Sequence, residues 1–233
     1  MKKYLLLIGA SLFFISAFSQ KVPTLANRPN DHFIIQFGYT GWSGKPDTIY
    51  TKGFPRSFNM YLMFDFPFKT NPHLSLAIGP GVGTDNIYFD KMYVGVKDMT
   101  PTLHFEDRSD TNHFKKYKLA TTYLEAPIEF RYSSKPDNPN KSYKFAIGVK
   151  IGANVAASVK GKVLQDKNNA VLLDYIDKEK NRHFFNSYRF AAIARFGWGP
   201  FNIFASYQLN SLLKEGTGPN IKPFTIGLAL SGL

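Results

Sequence analysis

The chain has 233 residues, with 22 Phe, 13 Tyr, a formal net charge of +12 and no cysteine. Without cysteine there is no disulfide framework, no thiolate metal site and no cysteine nucleophile. The basic residues are spread over many segments and mixed with acids, as in HFEDRSD at 104–110 and DKEKNRH at 177–183, so no nucleic acid is expected as a partner.

The first element is MKKYLLLIGASLFFISAFSQ: two lysines, an apolar run from Tyr4 to Phe18, and small residues at Ala17 and Ser19. This pattern predicts a signal peptide over residues 1–19, cut to leave Gln20 as the new N-terminus of a domain spanning 20–233. No cysteine follows the cut, so a lipoprotein signal is not expected. The run is also shorter than the ~20 residues a spanning helix needs. No later stretch approaches such a helix, so a membrane location requires a closed barrel.

Eight segments then alternate with a period near two, the period at which successive strand side chains point to opposite faces. In HFIIQFGYT, Phe33, Ile35, Phe37 and Tyr39 share a face. In SFNMYLMFDFPF (57–68), Phe58, Met60, Leu62, Phe64, Phe66 and Phe68 form an unbroken apolar stripe, with Ser57, Asn59, Tyr61, Met63 and Asp65 between them. HLSLAIG sets Leu74, Leu76 and Ile78 against His73, Ser75 and Ala77. LATTYLEAPIEFRY sets Leu124, Ile128, Phe130 and Tyr132 against Glu125, Glu129 and Arg131. SYKFAIGVKIGANVAASVK sets Tyr143, Phe145, Ile147, Val149, Ile151 and Val155 against Lys144, Gly148, Lys150 and Asn154. NSYRFAAIARFGW, PFNIFASYQL and PFTIGLALSGL complete the set.

The connections fall at roughly 43–56, 69–72, 90–118, 135–141, 161–182, 197–200 and 211–222, long and short in turn. The short ones carry turn chemistry in KTNP, KPDNPNK and GWGP. Short turns at one end and long loops at the other are the signature of an even-stranded outer-membrane barrel. Alternation alone fits a soluble barrel with its apolar face inward equally well. Three features favour the membrane: a polar face rich in Gly, Ala and Ser, the strict loop asymmetry, and aromatics near strand ends such as Phe66, Phe68, Tyr132, Tyr143, Trp198 and Phe201. The expected fold is all-β: an eight-stranded antiparallel transmembrane β-barrel with short periplasmic turns and long extracellular loops.

At TTYLEAPIEFRYSS, SYKFAIGVKIGANV and FGWGPFNIFASYQLNSLLKEGTGPNIKPFTIGLAL, the chain resembles the outer-membrane β-barrel proteins of Bacteroidetes described as PorT-like or porin family. The leader ending FSQ is similar to that group's export signals. The resemblance covers the mature chain and implies architecture more than activity: no shared catalytic residue maps onto this sequence. It admits a role as an accessory factor of type IX protein secretion. One departure is the C-terminus, LALSGL, where such barrels often end in an aromatic residue.

The inward face carries Asp65, Glu125, Glu129, Arg131, Lys144, Lys150, Arg189 and Arg195. Glu125, Lys150 and Arg189 fall at similar distances from their turns, and buried charges must pair. An ion-pair network is therefore expected across the lumen, structural in role, with a gate or narrow polar path as the functional alternative. GPGVG at 79–83 is followed by no helix pattern, so its glycines are read as relieving crowding rather than binding phosphate. His73 and Ser75 share a face but imply no nearby acid. His32, His73, His104, His113 and His183 show no metal-ligand spacing. The loose set His104, Glu106, Asp107 and Asp110 is read as a solvated loop.

The chain is accordingly expected to be a non-enzymatic surface-binding or scaffold protein with a closed or nearly closed lumen and no cofactor. Its expected partners are outer-membrane lipid and lipopolysaccharide, with a protein partner reached through the long loops 90–118 and 161–182. The rival readings are a small-solute pore, a lipid-modifying enzyme and the secretion accessory.

Overall fold

The computed structural model describes residues 33–232, so the leader expected at 1–19 and His32 lie outside the described residues. Thirteen strands follow one another: β1 (Phe33–Ser43), β2 (Arg56–Leu62), β3 (Phe64–Pro67), β4 (Leu74–Ile78), β5 (Gly81–Phe89), β6 (Met92–Val94), β7 (Phe105–Asp107), β8 (His113–Ser133), β9 (Tyr143–Gln165), β10 (Val171–Lys180), β11 (Tyr188–Trp198), β12 (Phe201–Gln208) and β13 (Lys222–Ser231).

Two pairs of these strands act as single staves. β2 runs into β3 across Met63, and β4 runs into β5 across Gly79 and Pro80. The pairing is then β1 to β2/β3, to β4/β5, to β8, to β9, to β11, to β12, to β13 and back to β1, antiparallel throughout. The ring has eight staves and no open edge, which leaves no row of ladder groups unpaired in the wall.

Side-chain orientation decides between the two barrels that alternation allows. Phe58, Met60, Leu62, Phe64, Phe66 and Phe68 are all exposed, Phe66 by 56%, whereas Asn59 between them is 2% exposed. The same holds around the ring, with Phe37, Leu124, Phe130, Phe145, Ile147, Phe190, Ile203 and Leu228 outside and Gln36, Glu125, Lys150, Arg195 and Asn202 inside. A soluble barrel would show the reverse. Such a wall is stable only where hydrocarbon replaces water on its outer face.

Of the expected long loops, 161–182 is largely strand and 90–118 is strand in part. β8 begins at His113 and β9 runs on to Gln165, and β10 pairs with the end of β9. Three strands therefore rise beyond the rim, for roughly 33 Å of chain at ~3.3 Å per residue. The alternation that drives them is present in HFKKYKLATT, where Tyr117 and Leu119 are buried and Lys116 is exposed. A small hairpin of β6 and β7 lies in the connection between β5 and β8.

Candidate functional site

The inner residues form layers. Around mid-barrel, one row of partnered positions runs Tyr61, Gly81, Glu125, Gly152, Arg189 across five staves. Large polar side chains alternate with glycines, so each meets the next one over the empty place between them. The Tyr61 hydroxyl donates to Glu125 Oε2 at 2.6 Å, and Arg189 Nη1 donates to Glu125 Oε1 at 2.9 Å. Lys150 Nζ approaches Glu125 Oε2 at 3.1 Å. Arg189 also pairs with Asp85, donates from Nε to Gln208 at 3.0 Å, and stacks 3.8 Å over the Tyr123 ring. A Cβ at Gly83 would lie 2.6 Å from Glu125 Oε2, whereas at Gly79 and Gly81 it would meet Leu62 and Tyr61 of the next stave, so Gly83 of GPGVG makes room for the carboxylate and the other two for the close approach of the neighbouring strand.

A second cluster lies nearer the short turns. Glu129 Oε2 accepts from Arg131 Nε at 2.7 Å and from Arg195 Nη2 at 2.9 Å. Arg131 Nη1 stands 3.7 Å from Asp65, which accepts a hydrogen bond from Ser75 at 2.7 Å. Arg131 and Arg195 are held apart in their row by Ala146, their common partner. The half-buried Lys144 lines a cavity of about 40 Å³ beside Asp65, Arg131 and Arg195.

The eight charged residues expected inside thus fall into two groups rather than one network: Glu125, Lys150 and Arg189 above, and Asp65, Glu129, Arg131, Arg195 and Lys144 below. The upper group is completed by Asp85, which sequence reasoning missed. Its signal was available: the inward parity of Ser75, Ala77, Gly79, Gly81 and Gly83 continues to Asp85, and pairing keeps its register across the break at Pro80.

Toward the long loops the interior changes character. Ile49, Phe89, Val94, Leu103, Leu119, Val159, Phe184, Phe185, Leu213 and Ile221 belong to one buried apolar cluster, built from strand ends and four connections. It covers the polar interior with a core of ordinary soluble type, which the sequence reading did not anticipate. A bulge at Val155 makes it possible. Thr122 pairs with Ala156 while Tyr123 pairs with Asn154, so Val155 is an extra residue. One extra residue reverses the parity of everything beyond it, turning Ala157 and Val159 inward and Ser158 and Lys160 outward.

The remaining candidates separate. The His73 ring nitrogen Nδ1 lies 2.8 Å from the Ser133 carbonyl, while Ser75 donates to Asp65. Histidine and serine are thus engaged with different partners. Glu106 is held by Arg108 at 3.1 Å, and Asp107 accepts the Ser109 N–H at 2.8 Å. No group of three or more metal-ligating residues is found among the described residues. In the β6–β7 hairpin, Tyr93 donates to Asp98 at 3.1 Å beneath Arg108, 4.4 Å above its ring. Burial, with Asp98 beside it, pushes the Tyr93 phenol up to about 12.

The family described as "Outer membrane protein beta-barrel domain" matches residues 18–213. No curated protein is similar to the chain by sequence. Among solved structures, that of Ail, the attachment invasion locus protein of Yersinia pestis, is similar at 14% identity. The match covers 85% of this chain and 94% of that one with a TM-score of 0.35.

Proposed function

The chain belongs to the outer membrane β-barrel protein family and resides in the bacterial outer membrane, and from that premise we propose that it is a non-enzymatic surface barrel with a closed lumen. In such barrels the short turns face the periplasm and the long connections face outward. The chain is then a scaffold that presents its cap and the β8–β9–β10 sheet to the exterior.

The observation that carries this reading is the filling of the interior. Two cavities at the charged layers, one between them beside Tyr61, Glu129 and Lys150 and one at the upper group beside Asp85, Lys150 and Arg189, measure about 10 Å³ each. That is scarcely the space of one water. Paired charges fill the mid-barrel, and an apolar core closes the outward end. An ion entering this path would have to break buried pairs, each costing several kcal/mol to separate.

The resemblance to PorT-like proteins of Bacteroidetes, with a leader over residues 1–19, is part of the same proposal. The test is conductance of the purified full chain in planar lipid bilayers. The expected result is no step conductance above baseline. Steps that Lys150→Ala or Glu125→Ala alters would overturn it in favour of a small-solute pore.

A further inference from the structure

The outer face of the projecting sheet is as ordered as the lumen. Its residues can be followed in rows from the apolar band upward. The row Met60, Val82, Leu124, Ala153 is hydrocarbon, and the row Phe58, Thr84, Thr122, Ala156 above it brings in hydroxyls. Next come Arg56, Asn86, Ala120 and Ser158, then Tyr88, Lys118, Lys160 and Lys178. Lys116 pairs with Lys162 in the row beyond. Directly partnered residues share a face, with Cβ atoms about 5 Å apart. Lys118, Lys160 and Lys178 are therefore three like charges side by side, with two more lysines one row higher.

Like charges placed opposite each other destabilise a sheet, and apart from the Tyr88 ring 5.9 Å from Lys118 Nζ no described negative group offsets these. Among the described residues, none of the five lysines has a carboxylate within ion-pair distance. On β10 the acids Asp177 and Glu179 pair with Gly161 and Val159 of the inward face, while Lys178 pairs outward. Asp174 lies past the irregularity between Leu173 and Ile176. Lys118 donates to Asn86 at 2.7 Å, and Arg56 donates to the Tyr88 hydroxyl at 2.6 Å, which ties the cations into one surface.

Each row rises about 5 Å along a tilted barrel. The lysine row therefore stands roughly 10 Å above the threonine row, within reach of a side chain that snorkels down to the headgroups. We propose that this ladder is a binding site for the phosphate groups of an outer-leaflet glycolipid. It lies on the face continuous with the lipid-contacting stripe, at the height where hydrocarbon gives way to charge. A phosphate seated between neighbouring ammonium groups would supply the counter-charge that the protein does not.

The inference rests on the outer-membrane location and is independent of the closed lumen, because a conducting barrel would leave this outer surface intact. The test is native mass spectrometry of the full chain in maltoside micelles, titrated with bis-phosphorylated lipid A or with the same lipid dephosphorylated. The phosphorylated lipid is expected to bind selectively. The variant Lys118→Gln/Lys160→Gln/Lys178→Gln is expected to lose about a hundredfold in affinity, at about fivefold per lysine. A heat-dependent gel shift verifies that the variant is folded; should it fail to fold, Lys160→Gln alone is expected to read about fivefold. Equal binding of the dephosphorylated lipid, or unchanged binding by the folded variant, would overturn the proposal. So would displacement of lipid A by inorganic phosphate at equal phosphate concentration, because the site would then recognise phosphate alone.

Discussion

The wall and the cap of this protein are built from the same strands by opposite rules. Within the wall, β8 turns Glu125, Glu129 and Arg131 inward and Leu124 and Phe130 outward. A few residues further along, the same strand turns Tyr117 and Leu119 inward and keeps Lys116 exposed. The inner parity never changes on β8, only what it carries. On β9 the exchange also needs the bulge at Val155. The solvent on the outer face accounts for the difference: hydrocarbon outside the wall rewards apolar side chains there and leaves the polar ones to pair inside, whereas water outside the cap restores the usual arrangement.

Deleting Val155 should disturb the cap most severely while sparing the wall. Without the extra residue, Lys160 turns into the cap and Val159 out of it, at a cost of order 5 kcal/mol for an unpaired buried cation and a lost apolar row. The expected outcome is a cap that protease cleaves within 90–112 while the barrel keeps its heat-dependent gel shift. Loss of the shift as well would mean that wall and cap fold as one unit.

Glu125→Ala tests the wall by the opposite route. It leaves Arg189 and Lys150 facing one another without their shared carboxylate and should cost about 3–5 kcal/mol. The temperature at which the gel shift is lost should fall, with the protease pattern of the cap unchanged. An unaltered temperature would show that Asp85 alone suffices as counter-charge.

The smallest effect belongs to the hairpin beside the cap. Tyr93, pushed up from 10.0 to about 12, is favoured by the fold in its neutral form. Its contribution is complete below pH 10 and is lost as pH rises through about 12. Absorbance of the phenolate is expected to titrate late for Tyr93, and hydrogen exchange in the β6–β7 hairpin to quicken over the same interval. Replacement by Phe should abolish the pH step.

Much of the wall was legible because its physics is local. A strand of period two under a one-sided solvent needs only parity and turn spacing to be read, and SFNMYLMFDFPF, KTNP and GWGP supply both. Seven of the eight charges on the inward face have a described partner among the others, and Arg189 gains a second in Asp85 through the same parity; Asp65 also binds Ser75, and Lys144 lines the lower cavity. Their division into two clusters was not legible, because it depends on which staves are neighbours and on the glycines and alanines set between them. The cap was hidden for a related reason: its residues come from strand ends and four separated connections that meet only in the fold, and one inserted residue decides which way β9 faces.

By itself, then, the sequence determined the period, the number of staves, the end at which the turns are short and the face that carries hydrocarbon, since each is set by neighbours within a dozen residues. Only the tertiary structure decided which charges meet, that an apolar core gathers at the end of the long connections, and that lysines from β8, β9 and β10 stand in one row. Those are matters of register between distant strands, and closing the ring is what sets register.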